Sequence, residues 1–237
     1  MKEGSKVILF KEIYGKAITL FDDPDIQRAY YEDTVEWEKT MRPYLENYVV
    51  LFTNPTRVTS QLLNQTPPKG VLETFDGNGS DSYVLSQPAP ENADFSFRID
   101  GEIDQLATYN AETHTVTFSK AIPEGTQCSA EWYYCGSFDS DFSAAASTTT
   151  SASMIRASVV DILARALVLN WAENEKNFVL EIRNLLTDTD FRMYSPANSV
   201  RAKTEWVKQL RFDFDTMTNK LSWNLFSRAQ HGGRFYG

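Results

Sequence analysis

The spacing of apolar residues along the chain changes period twice. Val7, Phe10, Ile13, Tyr14, Ala17, Ile18 and Phe21 recur every three or four positions, which predicts an amphipathic helix from Val7 to Phe21. Asp23-Pro24 then supplies an N-cap and a first-turn proline. Ile26, Tyr30, Trp37, Met41, Tyr44, Tyr48 and Leu51 carry the helical spacing onward. Pro43 predicts a kink or split after Met41, and Asn54-Pro55 an end.

Between about Lys69 and Phe138 the period becomes two. Val71 to Phe75, Tyr83 to Ser86, Phe95 to Ile99, Thr113 to Phe118 and Thr126 to Tyr134 are short runs rich in Val, Ile, Thr and aromatics. Turn chemistry separates them: Asp76-Gly77-Asn78-Gly79, Pro88-Ala89-Pro90, Asp100-Gly101 and Pro123-Glu124-Gly125. Strands recurring about every ten residues predict a small antiparallel sandwich or barrel. Phe95, Phe97 and Ile99 share one face, as do Val116 and Phe118.

Ser137 to Ser153 is biased toward small and hydroxyl residues and reads as a linker. The helical period returns with Ile155, Val159, Ile162, Ala166, Leu167 and Trp171, and Phe178, Ile182, Leu185 and Leu186 extend it. Ser195-Pro196 caps a long last helix. Its seam of Val200, Val207, Leu210, Phe214, Met217 and Leu221 follows a seven-residue pattern, with Lys203 and Asn224 as polar members. The chain is therefore expected to be α+β. A helical body is built from both chain ends, residues 1–68 and 139–228, and carries an inserted small antiparallel β-sandwich or barrel over 69–138. Residues 229–237, loosened by Gly232-Gly233, form a flexible C-terminal tail.

Composition narrows the function classes. With 42% apolar residues in 237, the chain can bury a sizeable core, so disorder throughout is excluded. Lys and Arg total 23 against 32 for Asp and Glu, a net charge of −9. Such a chain does not neutralise many phosphates, which disfavours a nucleic-acid grip while leaving it able to border a nucleic-acid path. Val159 to Trp171, the longest apolar run, is broken by Asp161, Arg165 and Asn170 and is too short to span a bilayer. Met1 to Phe10 lacks a basic region followed by an apolar stretch, so no signal peptide is expected.

Candidate chemistry is sparse. Cys128 and Cys135, seven apart on one extended run, would stand roughly 23 Å from each other, too far for a bridge. They read as small buried hydrophobes or free thiols. No nucleophile elbow, P-loop, dinucleotide fingerprint or zinc-protease motif occurs. His114 reads as strand surface, and His231 falls in the loose tail. Asp139/Asp141 and Asp188/Asp190 read as solvated turn residues, and Asp213/Asp215, two apart on a helix, do not share a face. Asp76-Gly-Asn78-Gly-Ser80-Asp81 begins like a calcium loop, but Gln87 stands where the bidentate Glu belongs, so a hairpin turn is expected. No catalysis, cofactor or required metal is expected.

One stretch carries a resemblance. Phe75-Asp76-Gly77-Asn78-Gly79-Ser80, Pro88-Ala-Pro90, Phe97-Arg-Ile99-Asp100-Gly101, Val116-Thr117-Phe118 and Pro123-Glu-Gly125 resemble a β module recurrent in tailed-bacteriophage structural proteins. It covers about 60 residues, from Glu73 to Tyr134. The helical remainder, with Asp190-Phe191-Arg192, then Ser195-Pro-Ala-Asn198 and a long helix, is similar to head–tail connector (adaptor) proteins below the portal.

That resemblance implies a non-enzymatic virion subunit in a homo-oligomeric ring, typically of twelve copies. The ring would join the portal protein to downstream tail and neck proteins, and DNA would pass without specific binding and without membrane contact. In this reading Arg228, Arg234, Phe235 and Tyr236 dock on the portal, while Val207, Phe214, Met217 and Leu221 contribute subunit contacts. Two other readings stay open. One is a baseplate, tail-hub or fibre-attachment protein. The other is a carbohydrate-binding module on a helical stalk, with Trp132, Tyr133 and Tyr134 as its stacking platform.

Overall fold

The computed structural model describes residues 7–90, 92–146, 151–185 and 196–230. Val7–Leu9 forms a short strand, β1, and leads directly into helix α1, Phe10–Ala17. The expectation of one helix from Val7 is corrected here, because the β1 backbone pairs with a later strand, Ile8 opposite Phe138. Helix α2, Pro24–Glu32, is capped by Asp23, whose carboxylate accepts the Asp25 and Ile26 amides. The chain breaks at Asp33, which caps α3, Thr34–Glu46. Pro43 lies inside α3 rather than ending it. Met41 and Leu45, one turn apart, are both buried, and that shared face carries the helix past the missing amide. Short helices α4, Tyr48–Leu51, and α5, Thr56–Thr59, follow, on either side of a cis Asn54-Pro55 bond.

The remaining strands are β2 (Gln65–Thr66), β3 (Lys69–Asp76), β4 (Ser82–Val84), β5 (Asp94–Ile99), β6 (Glu102–Ile103), β7 (Thr108–Asn110), β8 (Thr115–Thr117), β9 (Gln127–Tyr134) and β10 (Ser137–Asp139). All pairings are antiparallel. Sheets ordered β3-β9-β5-β6 and β4-β8-β7 form a sandwich, closed by ring contacts between them: Phe75 with Tyr83, Phe95 with Tyr109, and Phe97 with Phe118. The β5–β6 hairpin turns on Asp100 and Gly101, both with positive φ, as a tight two-residue turn of Asp-Gly type requires. Asp76 to Asp81 is not a hairpin, since β3 pairs with β9 and the loop crosses from one sheet to the other. His114 sits in the turn before β8, with φ of 54° and its Nδ1 3.2 Å from the Tyr109 hydroxyl.

The third sheet, β1-β10-β2, belongs to the helical body. Phe138 of β10 packs its ring on Phe10 and Tyr48, at 4.5 and 5.0 Å between centroids. The linker expected from Ser137 therefore starts later, because Ser137 and Phe138 are buried strand residues.

Helices α6, Ala152–Leu185, and α7, Pro196–Gln230, pack along each other. Each runs roughly 50 Å at ~1.5 Å per residue. From Ile162 to Leu169 every α6 side chain but Arg165 is buried, as expected of a helix covered on all sides. The three polar breaks in this apolar run all have partners. Asp161 pairs with Lys16 at 3.0 Å, Arg165 approaches Asp213 at 3.9 Å, and Asn170 Nδ2 donates to the Tyr44 carbonyl at 2.9 Å.

Among the described residues two hydrophobic cores result. The larger gathers α1, α3, α4, α6, α7 and β10; the smaller fills the sandwich. Strand β9 serves both, because alternate residues face opposite ways. Cys128, Ala130 and Trp132 point into the sandwich, while Tyr133 joins the helical core. Asp188, Asp190 to Arg192, Ser195 and His231 lie outside the described residues.

Candidate functional site

Two places combine unusual chemistry with a position that function can use: the joint between sandwich and helical body, and the outer side of α7. At the joint the outer face of the β5–β9 sheet is polar. Asp94, Ser96 and Arg98 alternate on β5, and Ser96 lies opposite Glu131 of β9. Helix α3 meets this face with charge. Asp33 accepts from the Arg98 guanidinium and, at 3.2 Å, from the Ser96 hydroxyl. Lys39 donates to Glu131 and stands over the Tyr133 ring.

Glu38 lies one residue from that Lys39 contact and is completely buried. It shares the inward face of α3 with Trp37, Met41 and Leu45. Neither carboxylate oxygen of Glu38 has a hydrogen-bond partner, and the same holds for Asp94 Oδ2. Cys135, just past β9, is also buried, and its Sγ accepts the Lys11 amide at 3.2 Å. One oxygen of Glu38, one of Asp94 and the Cys135 sulfur all lie within 4.8 Å of one another. Lys11 Nζ stands 3.7 Å from Asp94 Oδ2 and donates to the Asn92 carbonyl at 3.1 Å.

Titration follows from this crowding. Burial, then the nearby Asp94 charge, pushes the Glu38 carboxyl up to about 8, with Lys11 opposing. Burial and the Glu38 charge push the Cys135 thiol up to about 12. Burial raises Asp94 against the pull of Lys11. From the sequence Cys135 reads as a small buried hydrophobe or free thiol, and neither Glu38 nor Asp94 stands out. A signal is present in Glu38, a charged residue eight positions after Tyr30 and three before Met41, on the face that the apolar period marks as core.

On α7 the expected seam has its partner within the chain. Val207, Phe214 and Leu221 are buried in the helical core beside α6, and Met217 is half-buried against Arg165. Among the described side chains of α7, Phe212 and Trp223 are the large apolar ones left exposed, at 66% and 70%. Trp223 lines an open groove of about 960 Å³ between the C-terminal half of α7 and Asn54 to Arg57. Arg228 lies in α7, but its side chain, with Arg234, Phe235 and Tyr236, is outside the described residues. The proposed stacking platform is not built. Trp132 and Tyr133 are buried in different cores, because the pleat of β9 turns them to opposite faces.

Among the described residues, no helix is long and apolar enough to cross a membrane. Comparison with protein-family models, with characterised proteins and with solved structures returns no significant match.

Proposed function

We propose that this protein is a non-enzymatic structural subunit of a tailed-phage virion, a head–tail adaptor that assembles into a ring beneath the portal. The observation that carries the reading is on α7. Its own core consumes Val207, Leu210, Phe214 and Leu221, yet Phe212 and Trp223 remain exposed on the same helix, with an open groove beside Trp223. Large aromatic side chains on the outside of a long helix fit burial against a second copy of the chain, where ring closure repeats one heterologous contact. Net charge −9 fits a channel wall that DNA passes without sticking. The β-module sequence from Glu73 to Tyr134, with its phage resemblance, supplies the virion context.

Electron microscopy of the full-length protein, alone and with portal-containing heads, tests this. Rings are expected, lost on Phe212→Asp or Trp223→Asp with the monomer still folded. In this reading the tail from Arg228 onward docks on the portal, so truncation after Ala229 should abolish joining to heads while leaving rings intact. A strictly monomeric protein that ignores portal-containing heads would refute the adaptor role and favour a baseplate or fibre-attachment subunit.

A further inference from the structure

We propose that Glu38, Asp94 and Cys135 bind a single divalent cation, with zinc the best chemical fit, which staples the β-sandwich to the helical body. The second observation beyond the cluster itself is Glu38: its carboxylate is completely buried, has no hydrogen-bond partner, and places one oxygen within 4.8 Å of both other ligand atoms. Buried carboxylates ordinarily find donors, and unpaired ones are costly enough to call for an explanation. Among the described residues, three of the buried side-chain atoms without a hydrogen-bond partner are the two Glu38 oxygens and Asp94 Oδ2, the last held only by the longer ion pair to Lys11. One ion would satisfy both carboxylates.

Geometry and charge agree. Three atoms no more than 4.8 Å apart share a central point at most 4.8/√3, about 2.8 Å, from each. Zinc–oxygen bonds are ~2.0–2.2 Å and zinc–sulfur bonds ~2.3 Å, so each oxygen would close in by at most ~0.8 Å and the sulfur by at most ~0.5 Å, within reach of side-chain rotation. Two carboxylates, one thiolate and the Lys11 ammonium sum to −2, which a divalent ion neutralises. Binding would also reverse the upward push on the thiol, since a coordinated sulfur is a thiolate.

The donor set chooses the metal class. Sulfur disfavours calcium and magnesium, and mixed oxygen–sulfur coordination suits zinc or cobalt. Asp94 and Lys11 are partly solvent-exposed, giving an entry path and room for a water as fourth ligand. Lys11 would give up Asp94 yet keep the Asn92 carbonyl. The three ligands come from α3, β5 and the link from β9 to β10, so the ion would fasten the two cores together.

Cobalt(II) titration of the full-length, chelator-stripped protein tests the site. A thiolate-to-cobalt charge-transfer band saturating at one equivalent is expected, with zinc displacing cobalt and raising Tm by several degrees. Cys135→Ser should abolish the band and Glu38→Gln weaken binding at least tenfold, while Cys128→Ser, in the sandwich core, should leave both unchanged. The wild-type titration decides the matter even if a variant fails to fold. No band and no zinc-dependent Tm shift would overturn the site and leave Glu38 as a protonated core acid. A band lost in Cys128→Ser but kept in Cys135→Ser would also overturn it.

Discussion

Asp33 holds α3 with one carboxylate oxygen and Arg98 of β5 with the other. Its Oδ1 accepts the Glu36 amide at 3.1 Å as the N-cap of α3, while Oδ2 takes the Arg98 guanidinium and the Ser96 hydroxyl. One side chain thus starts a helix of the body and fixes the sandwich against it. The two roles are separable, because Asn caps a helix as well as Asp does but carries no charge. Asp33→Asn should lose only the charge pairing, about 1 kcal/mol for a partly exposed ion pair. Asp33→Ala should lose the cap as well, about 2 kcal/mol in all. Urea denaturation of both variants, with an Asp33/Arg98 double-mutant cycle, measures the split. Equal losses for Asn and Ala would show that the cap contributes nothing.

Phe214 and Phe212 stand two residues apart on α7 with opposite fates, 3% and 66% exposed. Phe214→Ala should cost ~3–5 kcal/mol through lost burial and the cavity left beside α6. Phe212→Ala should change the stability of the isolated chain by no more than ~0.5 kcal/mol. Thermal melts at low protein concentration compare them directly. A large loss at Phe212 would mean that the folded chain already buries it in a dimer or ring.

Asp104 governs an acid limb in the sandwich. Burial pushes its carboxyl upward, but hydrogen bonds outweigh this and hold it below its ordinary value of 3.8. They come chiefly from the Ser119 amide at 2.8 Å, with the Leu106 amide at 3.1 Å adding to them. A lowered folded-state value means that the native protein releases this proton more readily than the unfolded chain. The stabilisation is therefore complete above 3.8 and fades as pH falls through the lowered value. Asp104→Asn should cost about 1–2 kcal/mol at neutral pH, because a charged acceptor of two amides becomes neutral. The difference from wild type should shrink below pH 3.8, as followed by near-ultraviolet circular dichroism. A gap that stays constant down to pH 2 would remove the charge from the explanation.

Much of this architecture is written in local patterns. The switch from period 3.6 to period 2 marks the sandwich strands, and Asp100-Gly101 announces its turn, because both signals depend on neighbours in sequence. The sheet β1-β10-β2 does not announce itself. Its strands have two or three residues, too few for a period, and Ile8 meets Phe138 only through a pairing 130 positions away. Gly136 shows the same limit. Its φ is +98°, and a Cβ there would stand 2.9 Å from the Phe10 ring and 3.0 Å from the Thr66 carbonyl. Only the fold reveals that crowding. The break at Asp33 was more accessible, since Asp33 and Glu36 have capping spacing, but the continuous apolar period across it suggested one helix. The ligand cluster is the least legible part, because Glu38, Asp94 and Cys135 are brought together from three separate stretches of chain.

The sandwich should be removable from the helical body, provided that the cut respects strand pairing. Thr66 of β2 sits opposite Ser137 of β10, so their Cα atoms are only ~5 Å apart and a short linker can join the flanking residues. Replacing residues 68–134 with a few Gly and Ser keeps β2, Gly136 and β10, and with them the sheet that buries Phe138 against Phe10 and Tyr48. Two losses follow. Tyr133 leaves the helical core, and Asp33 and Lys39 lose their partners across the joint. The first weakens the body by an amount of order 2–4 kcal/mol, in the range of other large-to-small core changes. The second is partly offset, because Glu38, freed of Asp94 and opened to water, no longer bears the cost of burial. The excised protein should therefore keep its helical circular dichroism and melt cooperatively at a lower temperature, without the β contribution to the spectrum. Loss of the cooperative helical transition would show that the body depends on the sandwich to fold, and that the two cores form one unit.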